Sequence, residues 1–197
     1  MLHTPRTIAT ARLSLLPPSP EHLEDLIRLK ADERAFGLML HGTRTPERTR
    51  EELEDDIEFW RVRGYGTWSV FERATGDFLG IAGLMERPDG RGVALRFALW
   101  PEWRGRGYAR EAAAASLEFG HGTGRLPRII AVARETNHAS RAVLADIGMR
   151  ECDGFEHQGH HMLVYESVRR QEAPAAAPPQ VPQKVCSTRS SGRGGVA

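Results

Sequence analysis

Polar and apolar residues alternate over residues 12–16 and then meet Pro17 and Pro18, which suits an edge strand closed by residues that cannot donate to a ladder. Ser19, followed by Pro20 and Glu21, reads as a helix start. Leu23, Leu26, Ile27 and Lys30 then recur at helical spacing, one stripe of a helix reaching about residue 29. The same grammar returns at Thr45-Pro46-Glu47 and predicts a helix to about residue 60 that buries Leu53, Ile57 and Trp60 under an outer coat of Glu and Arg. Residues 67–72 and 78–84 are β-type runs on either side of Ala74-Thr75-Gly76-Asp77, and a third run, 93–99, follows Arg87-Pro88-Asp89-Gly90. Connections this short predict an antiparallel meander. After it the period changes: 108–119 reads as helix, 129–133 as strand, 140–147 as helix and 162–167 as a last strand. The class implied is α+β with a mixed sheet.

A chain of 197 residues holds one ordinary domain, expected over 11–170 after a short N-terminal segment, 1–10. From 171 to 197 the sequence is rich in Pro and Ala, then in Gly with Arg, with too few large apolar groups to offset the entropy of ordering it; a disordered tail is expected. Lys and Arg number 27 against 26 Asp and Glu, so no global field draws the protein to nucleic acid or membrane, and neither is expected as a partner. The two cysteines, Cys152 and Cys186, lack the spacing of a disulfide framework or zinc site. Neither an apolar run of 18 residues nor a secretory leader is present, so a cytoplasmic protein is expected. His157, His160 and His161 match no usual zinc spacing, and no metal is expected. Cys152, just past the Gly148-Met149 turn, reads as a small buried residue.

The chemistry concentrates where the third strand of the meander gives way to helix. Gly105 and Gly107 let the backbone turn sharply and approach a ligand, and the first amides of the following helix lack intrahelical partners at the positive end of its dipole. Arg104, Arg106 and Arg110 add charge, so the segment reads as a cradle for a pyrophosphate. Two glycines can equally make a plain tight turn. The segment is not a Walker loop, and Arg110 stands where a dinucleotide fingerprint has its third glycine.

R-G-R-G-Y-A resembles the Arg-x-x-Gly-x-Gly/Ala motif with which GNAT superfamily N-acetyltransferases hold the pyrophosphate of acetyl-CoA. Downstream, E-T-N-H-A-S-R-A-V-L-A-D-I-G-M is similar to that family's Asn-x-x-Ser segment and closing Gly-Phe. The likeness spans about residues 8–169 and is nearest to the RimJ/RimL-type branch. It implies a GNAT-like mixed central sheet flanked by helices in a single domain. It also implies an N-acetyltransferase in which a primary amine, from a protein N-terminus or a small molecule, attacks acetyl-CoA directly. The resemblance sets Phe97, Ala98 and Leu99 beside the pantetheine, and Arg104, Gly105, Arg106, Gly107, Tyr108, Ala109 and Arg110 around the pyrophosphate. Asn137 then contacts the cofactor through its amide, and Ser140 falls near the thioester. Asn137 and Ser140 also suit helix capping.

Two departures from the family pattern concern protons. The position that usually carries a catalytic Glu is Ala94, and the position of the usual Tyr acid is Leu144. Ser140 is therefore the candidate proton donor to the sulfur, and Glu86, or His160 and His161, the candidate base. The acceptor is expected between the early helices and the late hairpin, where Glu51, Glu52, Glu54, Asp55 and Asp56 either attract a cationic amine or form a solvated helix face. The missing Glu and Tyr leave a second reading open, a non-catalytic acyl-CoA-binding module of the same fold. Monomer and homodimer both remain compatible.

Overall fold

The cap residues place the helix starts. In the computed structural model, which describes residues 3–4 and 6–169, the Ser19 hydroxyl accepts from the amide of Glu21 and opens a 3-10 turn that runs into α1, Leu23–Ala31. Asp32 caps α2, Glu33–Phe36, and Thr45 caps α3, Pro46–Arg63, which ends on Gly64. The tail expected over 171–197 lies outside the described residues.

Eight strands form one sheet: β1 (Ile8–Ala9), β2 (Leu13–Leu16), β3 (Thr67–Glu72), β4 (Phe78–Glu86), β5 (Val93–Leu99), β6 (Arg128–Arg134), β7 (Arg150–His157) and β8 (His160–Val168). They stand in the order β1-β2-β3-β4-β5-β6-β8-β7. Every pairing is antiparallel except β5 with β6, which are parallel and joined by the crossover helix α4, Tyr108–His121; α5, His138–Asp146, follows β6. The mixed sheet and the three-strand meander are as the sequence predicts. Two expectations need correction. The strand at 13–16 is not an edge, because the two-residue β1 pairs outside it. A strand unmarked by any apolar alternation, β7, forms the other edge, and Cys152 upon it is exposed rather than buried.

The sheet separates two cores. On one face α1, α2 and α3 bury Leu26, Leu29, Phe36 and Leu53 against Ile81 and Ala98. On the other, α4 and α5 bury Ala112, Leu117 and Leu144 against Leu84, Leu95 and Leu99. The run of small residues in α4 brings its axis close to the sheet: Ala112, Ala113 and Ser116 are fully buried, and the Ser116 hydroxyl turns back onto the carbonyl of Ala112.

Candidate active site

The parallel pair sets the geometry. β5 and β6 register at Ala94 opposite Ile130, and beyond that point no further pairing joins them among the described residues, so they part toward their C-terminal ends. Which backbone groups face the opening follows from β4. The amide of Trp100 donates to the carbonyl of Leu79 (2.9 Å), and Ala98 and Arg96 stand opposite Ile81 and Gly83. Alternate residues of an antiparallel ladder exchange both hydrogen bonds with their partners. Ala98 and Arg96 are thus bonded to β4, whereas the N–H and C=O of Phe97 and Leu99 point the other way, into the opening.

Both strands lead into helices at the open end. After β5, a 3-10 turn at Pro101–Trp103 carries the chain to Arg104 and the glycine turn. Gly105 and Gly107 have φ of 73° and 78°, left-handed values that a side chain resists, and Gly107 is the residue on which α4 starts. No side chain caps α4, so the amides of Tyr108, Ala109 and Arg110 precede its first internal bond, from Glu111 N–H to the Gly107 carbonyl. Gly105, Arg106, Gly107 and Arg110 are exposed, while Tyr108 is buried and donates its hydroxyl hydrogen bond to Glu72. Arg106 stacks over Trp103, its guanidinium carbon 5.0 Å from the ring centroid. Arg104 turns back instead, donating to the carbonyl of Arg34 (2.6 Å) and more weakly to that of Leu99 (3.4 Å), and so ties the turn to α2 and to the end of β5.

After β6, Asn137 begins α5 and accepts from the amide of Ser140 at 3.1 Å through Oδ1. That bond occupies its oxygen and leaves its NH2 group as a donor. The main-chain amide of Ser140 is spent on the cap, not its half-buried hydroxyl. The glycine turn and the Asn137 turn therefore flank one opening at the carboxyl ends of two parallel strands, where open α/β sheets place their ligand sites.

The face toward α1 and α3 is different in kind. Ala94 packs with Ile130 and Val164, beside Val132 and Phe155, in an apolar cluster; Glu166, opposite Ile130 on β8, borders it and is paired with Arg128 (2.9 Å). Arg91, in the β4–β5 turn, lies over the Phe155 ring at 4.0 Å and pairs with Asp153 (3.5 Å), bracing that turn against β7. Of the acidic run on α3, Glu51, Glu54 and Asp55 point outward, while Glu52 and Asp56 turn in and are already matched. Glu52 accepts from the almost fully buried Lys30 (2.8 Å) and from Arg44 (2.6 Å); Asp56 accepts from Arg96 (3.0 Å), whose Nε also reaches the Thr67 hydroxyl (2.9 Å). Burial raises the Glu52 carboxyl, yet the charges and hydrogen bonds of Lys30 and Arg44 outweigh it and hold the group down to about 2. Burial, then the Arg96 charge, pulls Lys30 below its ordinary value against the opposing effect of Glu52. The inward carboxylates are thus structural partners, and what remains of the run, Glu51, Glu54 and Asp55, lies on the solvated face of α3.

Glu86 does not meet the expectation that it faces the amine side. It stands opposite Val93, past the vertex at Ala94, and its strand neighbours Ala82 and Leu84 belong to the α4 core. Its carboxylate pairs with Arg63 (3.0 Å) and accepts from Tyr65, whose hydroxyl is pushed up to about 12 by burial and then by the Glu86 charge. His160 and His161 sit at the tip of the β7–β8 hairpin, and His161 is tied to Glu156 at 2.8 Å. Leu144, at the position of the usual Tyr, is buried in the α4 core. Sequence reasoning missed the ion pairs of Lys30, Arg44 and Arg96, although the i, i+4 spacing of Glu52 and Asp56 does mark them as one face of α3. Among the described residues no three metal-binding side chains gather, and no helix is long and apolar enough to cross a membrane.

Comparisons with known proteins agree with this layout. A family model described as an acetyltransferase (GNAT) domain matches residues 12–150. The FsC-acetyl coenzyme A-N(2)-transacetylase of Aspergillus fumigatus is 29% identical over 166 residues, covering 76% of this chain and 67% of that protein. A solved acetyltransferase structure from Agrobacterium tumefaciens strain C58 superposes with a TM-score of 0.73 at 26% identity, covering 85% of this chain and 96% of that one. The Salmonella typhimurium acetyl transferase that modifies the N-terminal serine of ribosomal protein L7/L12 shares the fold at a TM-score of 0.70, with 19% identity over 83% of this chain and 99% of its own.

Proposed function

Because the chain belongs to the GNAT acetyltransferase family, whose members draw their acetyl group from acetyl-CoA, we propose that it acetylates a primary amine, a protein N-terminal α-amine or that of a small molecule, by direct attack. One juxtaposition carries this reading. A strand edge at Phe97 and Leu99 that no second strand covers and an uncapped helix start at Gly107 lie on one side of an opening whose other side is Asn137 and Ser140. When bound, acetyl-CoA supplies the acetyl carbon already activated as a thioester.

The protein's own groups divide the remaining work. Phe97 offers its N–H and C=O and Leu99 its N–H to the pantetheine amides, with Ala98 between them bonded to β4 and the Leu99 carbonyl shared with Arg104. Gly105, Gly107, Tyr108, Ala109 and Arg110 offer amides to the pyrophosphate at the positive end of α4, with Arg106 adding charge beside them and Arg104 holding the turn in place. Asn137 donates through its free NH2 group. Ser140 donates a proton, or relays one, to the departing sulfur. Ala94 stands at the usual Glu position and the nearby Glu166 is tied to Arg128, so the acceptor arrives neutral; an α-amine, with a pKa of about 7.7–8.0, does so readily. Monomer and homodimer both suit this chemistry, which asks nothing of a second chain, and a cytoplasmic supply of acetyl-CoA fits it.

The test is thiol release from acetyl-CoA with a panel of amines, α-amino peptides first, since the Salmonella neighbour modifies an N-terminal serine. Release should follow the acceptor's own titration, so that a peptide amine of lower pKa moves the pH profile down with it. Tight binding of acetyl-CoA with no release above the uncatalysed rate, for any amine, would make the protein an acyl-CoA-binding module instead.

A further inference from the structure

The glycine turn is gripped from behind by a residue outside the motif. Arg12, just before β2, donates through Nη1 to the carbonyl of Arg106 (2.8 Å) and through Nε to Glu111 on the first turn of α4 (2.7 Å). Its guanidinium carbon lies 4.4 Å from the centroid of the Tyr108 ring, and its Nη2 is 3.3 Å from where a Cβ on Gly107 would stand. Glu111 also accepts from the backbone amide of Arg12 (2.9 Å) and from the Thr10 hydroxyl (2.5 Å). Burial opposes the charge on Glu111, but these hydrogen bonds and the guanidinium outweigh it and hold the carboxyl below its usual range.

A planar trans peptide points its C=O and N–H in opposite directions. With the Arg106 carbonyl drawn toward Arg12, the N–H of Gly107, in the same peptide group, points away from Arg12. A charged donor on the carbonyl also polarises that group and makes its N–H a stronger donor. We propose that Arg12 is a positioning residue for the pyrophosphate of acetyl-CoA, aiming and strengthening the Gly107 amide, and that Glu111 and Thr10 hold Arg12 in register for that task. The inference rests on the reading of this turn as the pyrophosphate cradle. A bond that merely fastened the N-terminal strands to the domain would touch all ligands alike, whereas this one discriminates between them.

The experiment compares binding of acetyl-CoA with that of S-acetylpantetheine, which lacks the pyrophosphate, by wild type, Arg12→Ala, Arg12→Lys and Glu111→Gln. Arg12→Ala should weaken acetyl-CoA about tenfold or more, the scale of one charge-assisted hydrogen bond, and leave S-acetylpantetheine within about twofold. In turnover the loss should fall on KM for acetyl-CoA rather than on kcat. Lys has one donor nitrogen in place of the rigid Nε–Nη1 fork that spans Glu111 and the carbonyl, so Arg12→Lys should recover only part of the loss. Glu111→Gln, which keeps Arg12 but loosens its anchor, should show the same ligand discrimination at smaller size, and it carries the test if Arg12→Ala does not fold. Equal losses for both ligands, no loss, or full rescue by Lys would overturn the proposal. Failure of the wild type to bind acetyl-CoA would instead overturn the cradle reading beneath it.

Discussion

The two sides of the β5–β6 opening are made of different material. Toward α4 and α5 the polar groups are almost all backbone: the edge at Phe97 and Leu99 and the amides after Gly107, joined by the Asn137 amide. Toward α1 and α3 they are side chains, already spent on one another in the Lys30–Glu52–Arg44 and Arg96–Asp56 pairs around an apolar patch at Ala94. A backbone site depends on φ and ψ and tolerates most side-chain changes. An ion-pair network depends on every charge keeping its partner. The two regions should therefore fail independently and in different measurements.

The largest effect should come from unpairing the network. Glu52→Gln leaves Lys30 and Arg44 without their carboxylate, and breaking a buried pair in this way costs about 3–5 kcal/mol, or roughly 6–20 °C in Tm for a domain of this size. Calorimetric melting checks it, with the acetyl-CoA affinity of the folded protein expected to hold. Acid probes the same pair. Because the Glu52 carboxyl titrates at about 2 when folded, below its ordinary 4.5, its contribution is present above pH 4.5 and disappears as the pH falls toward 2. A melt insensitive to Glu52→Gln would erase the distinction between the two sides.

Next in size is Gly107→Val, a β-branched side chain forced to a φ of 78°. The turn must move and its amides lose their aim, so acetyl-CoA affinity should fall about a hundredfold, the worth of one or two charge-assisted hydrogen bonds, with the domain still folded by circular dichroism. Of similar size at most, Ser140→Ala should lower kcat about a hundredfold at unchanged KM for acetyl-CoA, the low end for one proton donor. Its Tm should stay put, because the amide that bonds Asn137 survives the substitution.

The same contrast explains what was legible in the sequence. Caps at Ser19 and Thr45, the short turns of the meander and the glycine turn are local features, and they place α1, α3, β3 to β5 and the start of α4 within a few residues. β7 reads R-E-C-D-G-F-E-H and is mostly exposed, only Phe155 packing against the Ala94 cluster, so no buried face imposes alternation on it; Cys152 is misjudged for the same reason. β1 exists only through its pairing with β2. Lys30 falls on the apolar stripe of α1, and only the tertiary fold reveals that Glu52 meets it there. Glu86 looks available at a strand end until register assigns it to the α4 side and Arg63 claims it. The backbone half of the site is thus written in local motif, and the side-chain half in contacts between distant segments.

The central claim is that the turn at Gly105 to Arg110 and the strand edge at Phe97 and Leu99 together take acetyl-CoA. Titration of coenzyme A followed by amide NMR tests it most directly. The largest shifts should fall at the amides of Gly105, Gly107, Tyr108 and Ala109, with Phe97 and Leu99 moving at the same ligand concentration and Ala98, bonded to β4, moving little. Shifts confined to the α1–α3 face or the β7–β8 hairpin, with the glycine turn silent, would contradict it.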